Sequence, residues 1–146
     1  MSKITLKIGD TLKIYTDGAA RGNPGPAAIA FLFVHNNRII FKEVDYIGRT
    51  TNNSAEYQAI INALKKAEQF SKGLIQVFSD SNLAIQQINK KWKINKPHLS
   101  KLCKEVYLLS KKYEKVEFFQ VARNNLYIQK CDSLCNKRLD KEGIKN

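Results

Sequence analysis

Four acidic residues stand where helices and strands are expected to begin or end: Asp17, Glu56, Asp80 and Asp132. Carboxylates crowded at one place repel one another, which raises their pKa values unless divalent cations neutralise them. Mg²⁺ prefers oxygen ligands of this kind. Two such ions, about 3.5–4 Å apart, can activate an attacking water and stabilise a leaving oxygen. The chemistry that this set of residues favours is therefore metal-dependent hydrolysis of a phosphodiester.

Two of these carboxylates also have structural interpretations that the residues alone leave open. Asp17 suits a turn, in which it would accept hydrogen bonds from the amides of Gly18 and Ala19. Glu56 lies three residues after Asn53, which is the place of the acid in a capping box. In that case each side chain would serve local structure and would not bind a metal.

The same holds for the other two carboxylates. Asp80 would cap the helix that follows it, which is a common use of aspartate. Asp132 lies near Lys130 and Arg138, and a surface ion pair of that kind contributes little to stability. The metal interpretation therefore depends on whether the fold brings all four carboxylates to one place.

The first third of the chain predicts three antiparallel strands. An apolar pattern begins at Leu12, the run 27–34 is continuously apolar, and the run 38–46 is mixed. Asn36 and Asn37 separate the last two runs, and asparagine tolerates the positive φ of a two-residue hairpin turn. We therefore expect the second and third strands to form a hairpin.

Beyond residue 50 the apolar residues recur every three or four positions, which is typical of helices packed on a core. Asn53 is the expected N-cap of the first helix, and Pro97 suits the start of a later one. The patterns predict helices at 54–70, 84–88, 97–109 and 128–139, and strands at 74–78 and 116–121.

This order of elements predicts a mixed sheet covered by helices, because parallel strands need helical crossovers whereas hairpins do not. If the first and fourth strands are parallel, their carboxyl ends lie at one edge, where open α/β sheets bind ligands. Asp17 and Asp80 would then face each other at that edge.

Length and composition restrict the class of protein. Residues 1–146 suit a single domain, in which residues 1–11 would form an extra strand or an arm. No apolar run approaches the roughly 18 residues of a membrane span, and the N-terminus lacks the apolar segment of a signal peptide. We expect a cytoplasmic protein without membrane contact. The net charge of +12 favours a polyanion, with nucleic acid as the first partner to consider.

The three cysteines, Cys103, Cys131 and Cys135, are odd in number and form no C-x-x-C spacing. A disulfide framework or a zinc site is therefore not expected. We predict that the cysteines are small apolar residues of the core.

Four motifs follow one another along the chain: Y-T-D-G-A-A-R-G-N-P-G-P at 15–26, T-T-N-N-S-A-E-Y at 50–57, F-S-D-S-N at 78–82 and C-D-S-L-C-N at 131–136. Together they resemble ribonuclease H of type 1. The resemblance implies an α/β fold with a five-stranded mixed sheet, three antiparallel strands followed by two parallel strands, and helices on both faces. It also implies endonucleolytic cleavage of the RNA strand of RNA–DNA hybrids with two Mg²⁺ ions per site, for which Mn²⁺ is a substitute.

The resemblance assigns roles to individual residues. The four carboxylates match the metal ligands of the family, with Asp17 bridging both ions. Short amide side chains can donate to and accept from a 2′-hydroxyl, the group that distinguishes RNA from DNA, although asparagine is equally suited to turns and caps. The residues expected to contact the hybrid in this region are Gly18, Asn23, Asn52, Asn53 and Asn82.

Two segments depart from the pattern of many relatives. Many carry a histidine in the loop before the fourth carboxylate and others an arginine; here Arg123 is expected at that place. Some relatives insert a basic helical protrusion after the second helix, whereas this chain has only a short basic loop, residues 90–96. Lys91, Trp92 and Lys93 would form a ridge that contacts phosphates of the DNA strand. Alternatively, Trp92 covers the core and the lysines are simply solvated.

The expected function is thus hydrolysis of RNA in hybrids, with no obligate protein partner implied. Two alternatives remain from the sequence: a DNA nuclease or strand transferase of the same fold, and a non-catalytic nucleic-acid-binding module.

Overall fold

A computed structural model describes Leu6 and residues 9–144 of the chain. The predicted helices and strands are present, with ends shifted by a few residues. The proposed extra strand or arm lies for the most part outside the described residues; Leu6 packs against the core, and its N–H donates to the Phe70 carbonyl at 3.3 Å. The elements are β1 Thr11–Ala20, β2 Gly25–His35, β3 Arg38–Thr50, α1 Asn52–Ala67, β4 Leu74–Ser79, α2 Asn82–Ile88, α3 Pro97–Ser110, β5 Lys115–Gln120 and α4 Leu126–Lys141.

The five strands form one mixed sheet in the order β3-β2-β1-β4-β5. β1, β2 and β3 are antiparallel, whereas β4 runs parallel to both β1 and β5. Asn36 and Asn37 have φ values of 51° and 61° and join β2 to β3, which confirms the predicted hairpin. The expected α/β fold with a five-stranded mixed sheet is confirmed.

The sheet register brings two carboxylates to the same edge. Thr16 of β1 pairs with Ser79 of β4, and this pairing ends there. The residues that follow, Asp17 and Asp80, therefore stand side by side. One detail differs from the prediction: β1 continues to Ala20 because it remains paired with β2, so Asp17 lies inside the strand and not at its end.

Two apolar layers hold helices on opposite faces of the sheet. Leu12 and Ile14 of β1 belong to the core beneath α1, α2 and α3, whereas Tyr15 belongs to the core beneath α4. This alternation follows from the two-residue period of a strand. Burial of each large apolar side chain contributes about 1.5–3 kcal/mol to the stability of the fold. These contacts fix the position of each helix on the sheet.

Small side chains allow α4 to lie close to the sheet. Ala28 and Ala30 of β2 are fully buried beneath it. The Cys135 thiol of α4 contacts the carbonyl oxygens of Asp17 and Ala28 at 3.8 and 3.6 Å. The three cysteines are free and buried, as predicted. Asp132 thus lies on a helix that packs directly against β1 and β2.

Among the residues that the structure describes, no helix combines the length and the apolar character that crossing a membrane requires.

Candidate active site

Three of the four predicted carboxylates converge at the edge of the sheet. One oxygen from each of Asp17, Glu56 and Asp80 lies within 4.8 Å of the others. Asp17 is only 6% exposed. The cluster opens into a cavity of about 550 Å³ whose lining is acidic and polar: Asp17, Gly18, Ala19, Asn52, Asn53, Glu56, Asp80, Ser81, Arg123, Ile128, Gln129 and Asp132.

Glu56 reaches this cluster because Gly18 lets α1 approach the sheet. A Cβ atom at Gly18 would lie 2.3 Å from the Ala55 carbonyl oxygen and 2.7 Å from the Glu56 nitrogen. The Gly18 N–H donates to Glu56 Oε1 at 2.9 Å. The missing side chain of Gly18 thus permits the contact, and its amide orients the carboxylate.

Asp80 lines the cavity and has one buried carboxylate oxygen. Its Oδ1 atom is buried and has no hydrogen-bond partner among the described residues. Its Oδ2 atom lies 3.5 Å from Nε of Arg123, whose side chain is 94% exposed. Buried polar atoms are nearly always paired, so Oδ1 has the character of a ligand atom.

Asp132 lies at the rim of the cavity and not in the inner cluster. It is exposed on α4, and its carbonyl oxygen accepts from Asn136 Nδ2 at 3.1 Å. The structure therefore brings all four predicted carboxylates to one cavity, three as a tight group and the fourth at its border.

The structural alternatives for Glu56 and Asp80 are wrong. Thr51, not Asn53, is the N-cap of α1, and its hydroxyl accepts from the Ser54 N–H at 3.1 Å. Glu56 is therefore too far along the helix for a capping box and instead accepts from β1. Ser81, not Asp80, caps α2. Threonine and serine accept hydrogen bonds from the first amides of a helix as well as asparagine or aspartate do. The residue type alone therefore does not decide which of several neighbouring residues is the N-cap.

Of the two cations considered as partners of Asp132, Arg138 has a different partner. Arg138 pairs at 3.0 Å with Glu142, the C-cap residue of α4. A cationic side chain so engaged does not neutralise the carboxylate of Asp132.

Burial and mutual repulsion raise the pKa values of two carboxylates in the cluster. Burial, followed by the charges of Asp80 and Asp132, raises the pKa of Asp17 to about 8, although the Gly18 amide and Arg123 act in the opposite direction. Burial, followed by the charges of Asp17 and Asp80, also raises the pKa of Glu56. The groups that lower these pKa values, the Gly18 amide and, for Asp17, Arg123, do not outweigh the burial and the neighbouring charges. Hard divalent cations suit such a donor set, and the unpaired Oδ1 atom of Asp80 fits a metal ligand.

Two of the predicted substrate asparagines have fixed amide orientations. Asn52 Oδ1 accepts from the Ala20 N–H at 2.8 Å, and the Asn52 N–H donates to Asn23 Oδ1 at 3.1 Å. Since both amide oxygens are used in this way, the amide nitrogens are left as donors toward other partners. Asn52 and Asn53 line the cavity, whereas Asn23 does not.

The remaining predicted contacts lie further from the carboxylates. Asn82 is the first residue of α2, and its Oδ1 accepts from Gln86 Nε2 at 3.1 Å. Lys91, Trp92 and Lys93 follow the far end of α2 and do not line the cavity. Trp92 is 46% exposed, so about half of its surface is accessible to solvent.

Arg21 is a structural contributor to the site that the sequence pattern did not reveal. Its guanidinium pairs with Asp140 at 2.8 Å and donates to the Ile144 carbonyl and to Asn136 Oδ1, the latter at 3.2 Å. The side chain is only 9% exposed. It ties the turn that carries Asn23 to α4. The spacing of Asn136 and Asp140, four residues apart on one helix face, is the only sequence feature consistent with this contact.

Comparison with known proteins finds similar sequences over most of the chain. A family model described as RNase H matches residues 9–138. Ribonuclease HI of Halobacterium salinarum is 36% identical over 133 residues, which are 90% of this chain and 66% of that protein. A bifunctional protein of Mycobacterium tuberculosis is 34% identical over 131 residues, 87% of this chain and 35% of that protein. The chain thus spans two thirds or less of the length of these relatives.

A solved structure shows the same fold. The crystal structure of LC11-RNase H1 in complex with an RNA/DNA hybrid matches with a TM-score of 0.84 at 31% sequence identity. The match covers 90% of this chain and 98% of that one. The similarity therefore includes both the sheet and the helices that carry the candidate site.

Proposed function

Since this chain belongs to the RNase H family, we propose that it is an endonuclease that hydrolyses the RNA strand of RNA–DNA hybrids. The observation that carries the proposal is the convergence of Asp17, Glu56 and Asp80 within 4.8 Å, with a buried oxygen of Asp80 left without a partner. A non-catalytic module has no use for this arrangement, because like charges brought together in a partly buried site cost stability.

We propose that these three carboxylates and Asp132 hold two Mg²⁺ ions, with Mn²⁺ as a substitute. When bound, the ions would supply Lewis-acid stabilisation of the reacting phosphate and a water of lowered pKa. Asp17 is the central ligand, because it interacts electrostatically with each of the other three carboxylates. Gly18 holds Glu56 in place through its amide, and Arg123 offers an exposed cation beside Asp80 that can hold a phosphate oxygen.

Recognition of the hybrid follows from the donors around the cavity. The amide nitrogens of Asn23 and Asn52 are left as donors, and such donors suit 2′-hydroxyl and base-edge acceptors in a minor groove. Asn53 and Asn82 stand in the first turns of α1 and α2, where further short amide groups are available. The basic loop supplies positive charge for phosphates. The hybrid complex of LC11-RNase H1 supports this class of substrate.

The test is cleavage of four end-labelled duplexes that share one sequence: RNA–DNA hybrid, RNA duplex, DNA duplex and a DNA duplex with one ribonucleotide. We expect Mg²⁺-dependent cutting of the RNA strand of the hybrid. Asp17→Asn should lower the rate by more than the roughly 10–100-fold typical of losing a partner outside the ligand sphere. Asp45→Asn, an equivalent change on the edge strand β3, is the matched control.

Three results would contradict the proposal. Cutting of DNA alone would indicate a DNA nuclease or strand transferase. Binding without cutting would indicate a non-catalytic module. Cleavage that survives Asp17→Asn would refute the metal mechanism.

The proposal extends to the surroundings of the protein. We place it in the cytoplasm, where its three free, buried cysteines would stay reduced, and we assign it no obligate protein partner. Fractionation of cells and the mass of the purified protein in solution test these two statements.

A further inference from the structure

The basic loop has a defined path, although it contains no regular structure. It begins where α2 ends in a Schellman motif: the N–H of Lys91 donates to the Gln86 carbonyl at 2.9 Å and that of Lys90 to the Gln87 carbonyl at 3.0 Å. Lys90 has a φ of 62°, which is the left-handed conformation that this motif requires and that glycine usually supplies. A lysine in this conformation has to be held there by its surroundings.

A buried glutamine connects this loop to α1. Gln87 is only 5% exposed. Its Oε1 accepts from the Tyr57 hydroxyl at 2.7 Å, and its Nε2 donates to the Lys93 carbonyl at 3.5 Å. Gln87 thus contacts both the helix that carries Glu56 and the far side of the loop.

Tyr107 of α3 completes the support. Its hydroxyl donates to the Ile88 carbonyl at 2.7 Å, at the end of α2. The Lys90 ammonium lies 5.3 Å from the centre of the Tyr107 ring, within the range of a cation–π contact. Ile94 packs against the core on the other side of the loop. Contacts with α1, α2 and α3 therefore fix the position of the loop.

We propose that Gln87 is a positioning residue, which through Tyr57 fixes the basic loop relative to α1 so that Lys91 and Lys93 meet the phosphates of a bound hybrid. α2 has seven residues, so the loop starts about 10 Å from the carboxylate edge. These lysines add most to the affinity for a duplex bound at the carboxylates if the loop already has a fixed position. Ordering a mobile loop on binding would lower that affinity. This inference rests on the proposed function and identifies residues that contribute to the affinity of the protein for the hybrid.

The chain provides its own reporter of the loop. Trp92 is the sole tryptophan in the sequence and lies in the loop, between the two lysines. Its fluorescence anisotropy decay therefore measures motion of the loop without any substrate. We expect Tyr57→Phe and Gln87→Leu to increase the amplitude of fast motion at Trp92.

Tyr113→Phe is the matched control. Tyr113 is buried like Tyr57, and its hydroxyl donates to the Leu64 carbonyl, also on α1 but away from the loop. This variant should lose a comparable part of the thermal stability and leave the motion of Trp92 unchanged. Unchanged anisotropy in Tyr57→Phe, or the same change in Tyr113→Phe, would overturn the inference.

Cleavage kinetics give the second readout. Tyr57→Phe should raise KM for the hybrid by about threefold to tenfold, the change equivalent to one neutral hydrogen bond, with kcat and the Mg²⁺ dependence unchanged. If Gln87 and Tyr57 act through the lysines, then Tyr57→Phe added to Lys91→Ala with Lys93→Ala should raise KM no further. Increases in KM that multiply, or an equal fall in kcat, would refute the positioning role.

These readouts separate the two proposals. A wild-type chain that neither binds nor cuts the hybrid refutes the proposed function, and the anisotropy comparison still decides whether Gln87 and Tyr57 hold the loop. A wild-type chain that cuts the hybrid, together with a Tyr57→Phe variant of normal KM, refutes only the positioning role.

Discussion

Gly18→Ala is the smallest change that should disable the site while leaving every carboxylate in the chain. Gly18 lies in β1 at the point where the first turn of α1 crosses it. The added Cβ would lie 2.3 Å from the Ala55 carbonyl oxygen, 2.4 Å from the Ala55 carbonyl carbon and 2.7 Å from the Glu56 nitrogen. All three are backbone atoms, so no side-chain rotation relieves the overlap.

The size of the effect follows from the distance that the helix must move. Ordinary contact begins near 3.4 Å, so the first turn of α1 has to withdraw from β1 by about 1 Å. Glu56 follows Ala55 directly in the helix and moves with it, and its hydrogen bond from the Gly18 amide lengthens. A misplacement of about 1 Å in a catalytic arrangement can cost roughly 100-fold in rate. Overpacking should also cost about 1–3 kcal/mol of unfolding free energy.

The assay is steady-state cleavage of a labelled hybrid across a range of Mg²⁺ concentrations, with circular dichroism to show that the variant is folded. We expect kcat to fall by about 100-fold and a higher Mg²⁺ concentration to be required. Gly73→Ala is the control, because its Cβ would meet only the Ser71 hydroxyl at 3.6 Å and the Glu114 carboxylate at 3.9 Å. A Gly18→Ala variant with normal kcat would refute the argument that close packing of β1 and α1 sets the position of Glu56.

Two further outcomes test the charges of the molecule. Lys91→Ala combined with Lys93→Ala should weaken hybrid binding at low salt and flatten its salt dependence by about one unit of slope for each phosphate that is no longer bound; an unchanged slope would show that these lysines are only solvated. In metal-free buffer, the folded protein keeps a proton on Asp17 up to pH about 8, whereas the unfolded chain loses it near the ordinary value of 3.8. Between these values the unfolded state binds fewer protons, so the unfolding free energy should fall as pH rises, and chemical denaturation in EDTA at several pH values measures it. The same series for Asp17→Asn should lose this part of the slope, and an unaltered slope would contradict the raised pKa.

Much of the fold could be predicted because local patterns determined it. The Asn36–Asn37 turn, the alternation of apolar residues in β1 and the helical spacing after residue 50 each depend on neighbours in sequence. The predicted proximity of Asp17 and Asp80 is also confirmed, since parallel strands leave their carboxyl ends at one edge. Helix caps were less predictable, because Thr51 and Asn53 both suit the N-cap and only the entry angle of the chain decides between them.

Long-range contacts of polar residues could not be read from the sequence. Arg21 stands in a turn rich in glycine and proline, where a solvated side chain is the usual outcome, yet it is buried against the end of α4. Gln87 lies on the buried face of α2 among apolar residues, and its partner Tyr57 is 30 residues away. A hydrogen bond between two such groups depends on the relative placement of two helices, which no local pattern encodes.

The positive charge of the surface does not neutralise the negative charge of the cavity, because salt screens the exposed charges over a short distance. Exposed lysines are screened over about 8 Å at physiological salt, so they attract a polyanion without neutralising carboxylates buried at the edge of the sheet. The protonation of Asp17 is therefore set first by burial and by its acidic neighbours. Arg123 is the described cation that borders the cavity itself, 3.5 Å from Asp80 and almost fully exposed. Because its side chain lies beside a carboxylate and is exposed to solvent, we propose that Arg123 connects the acidic cluster to the surface that binds nucleic acid.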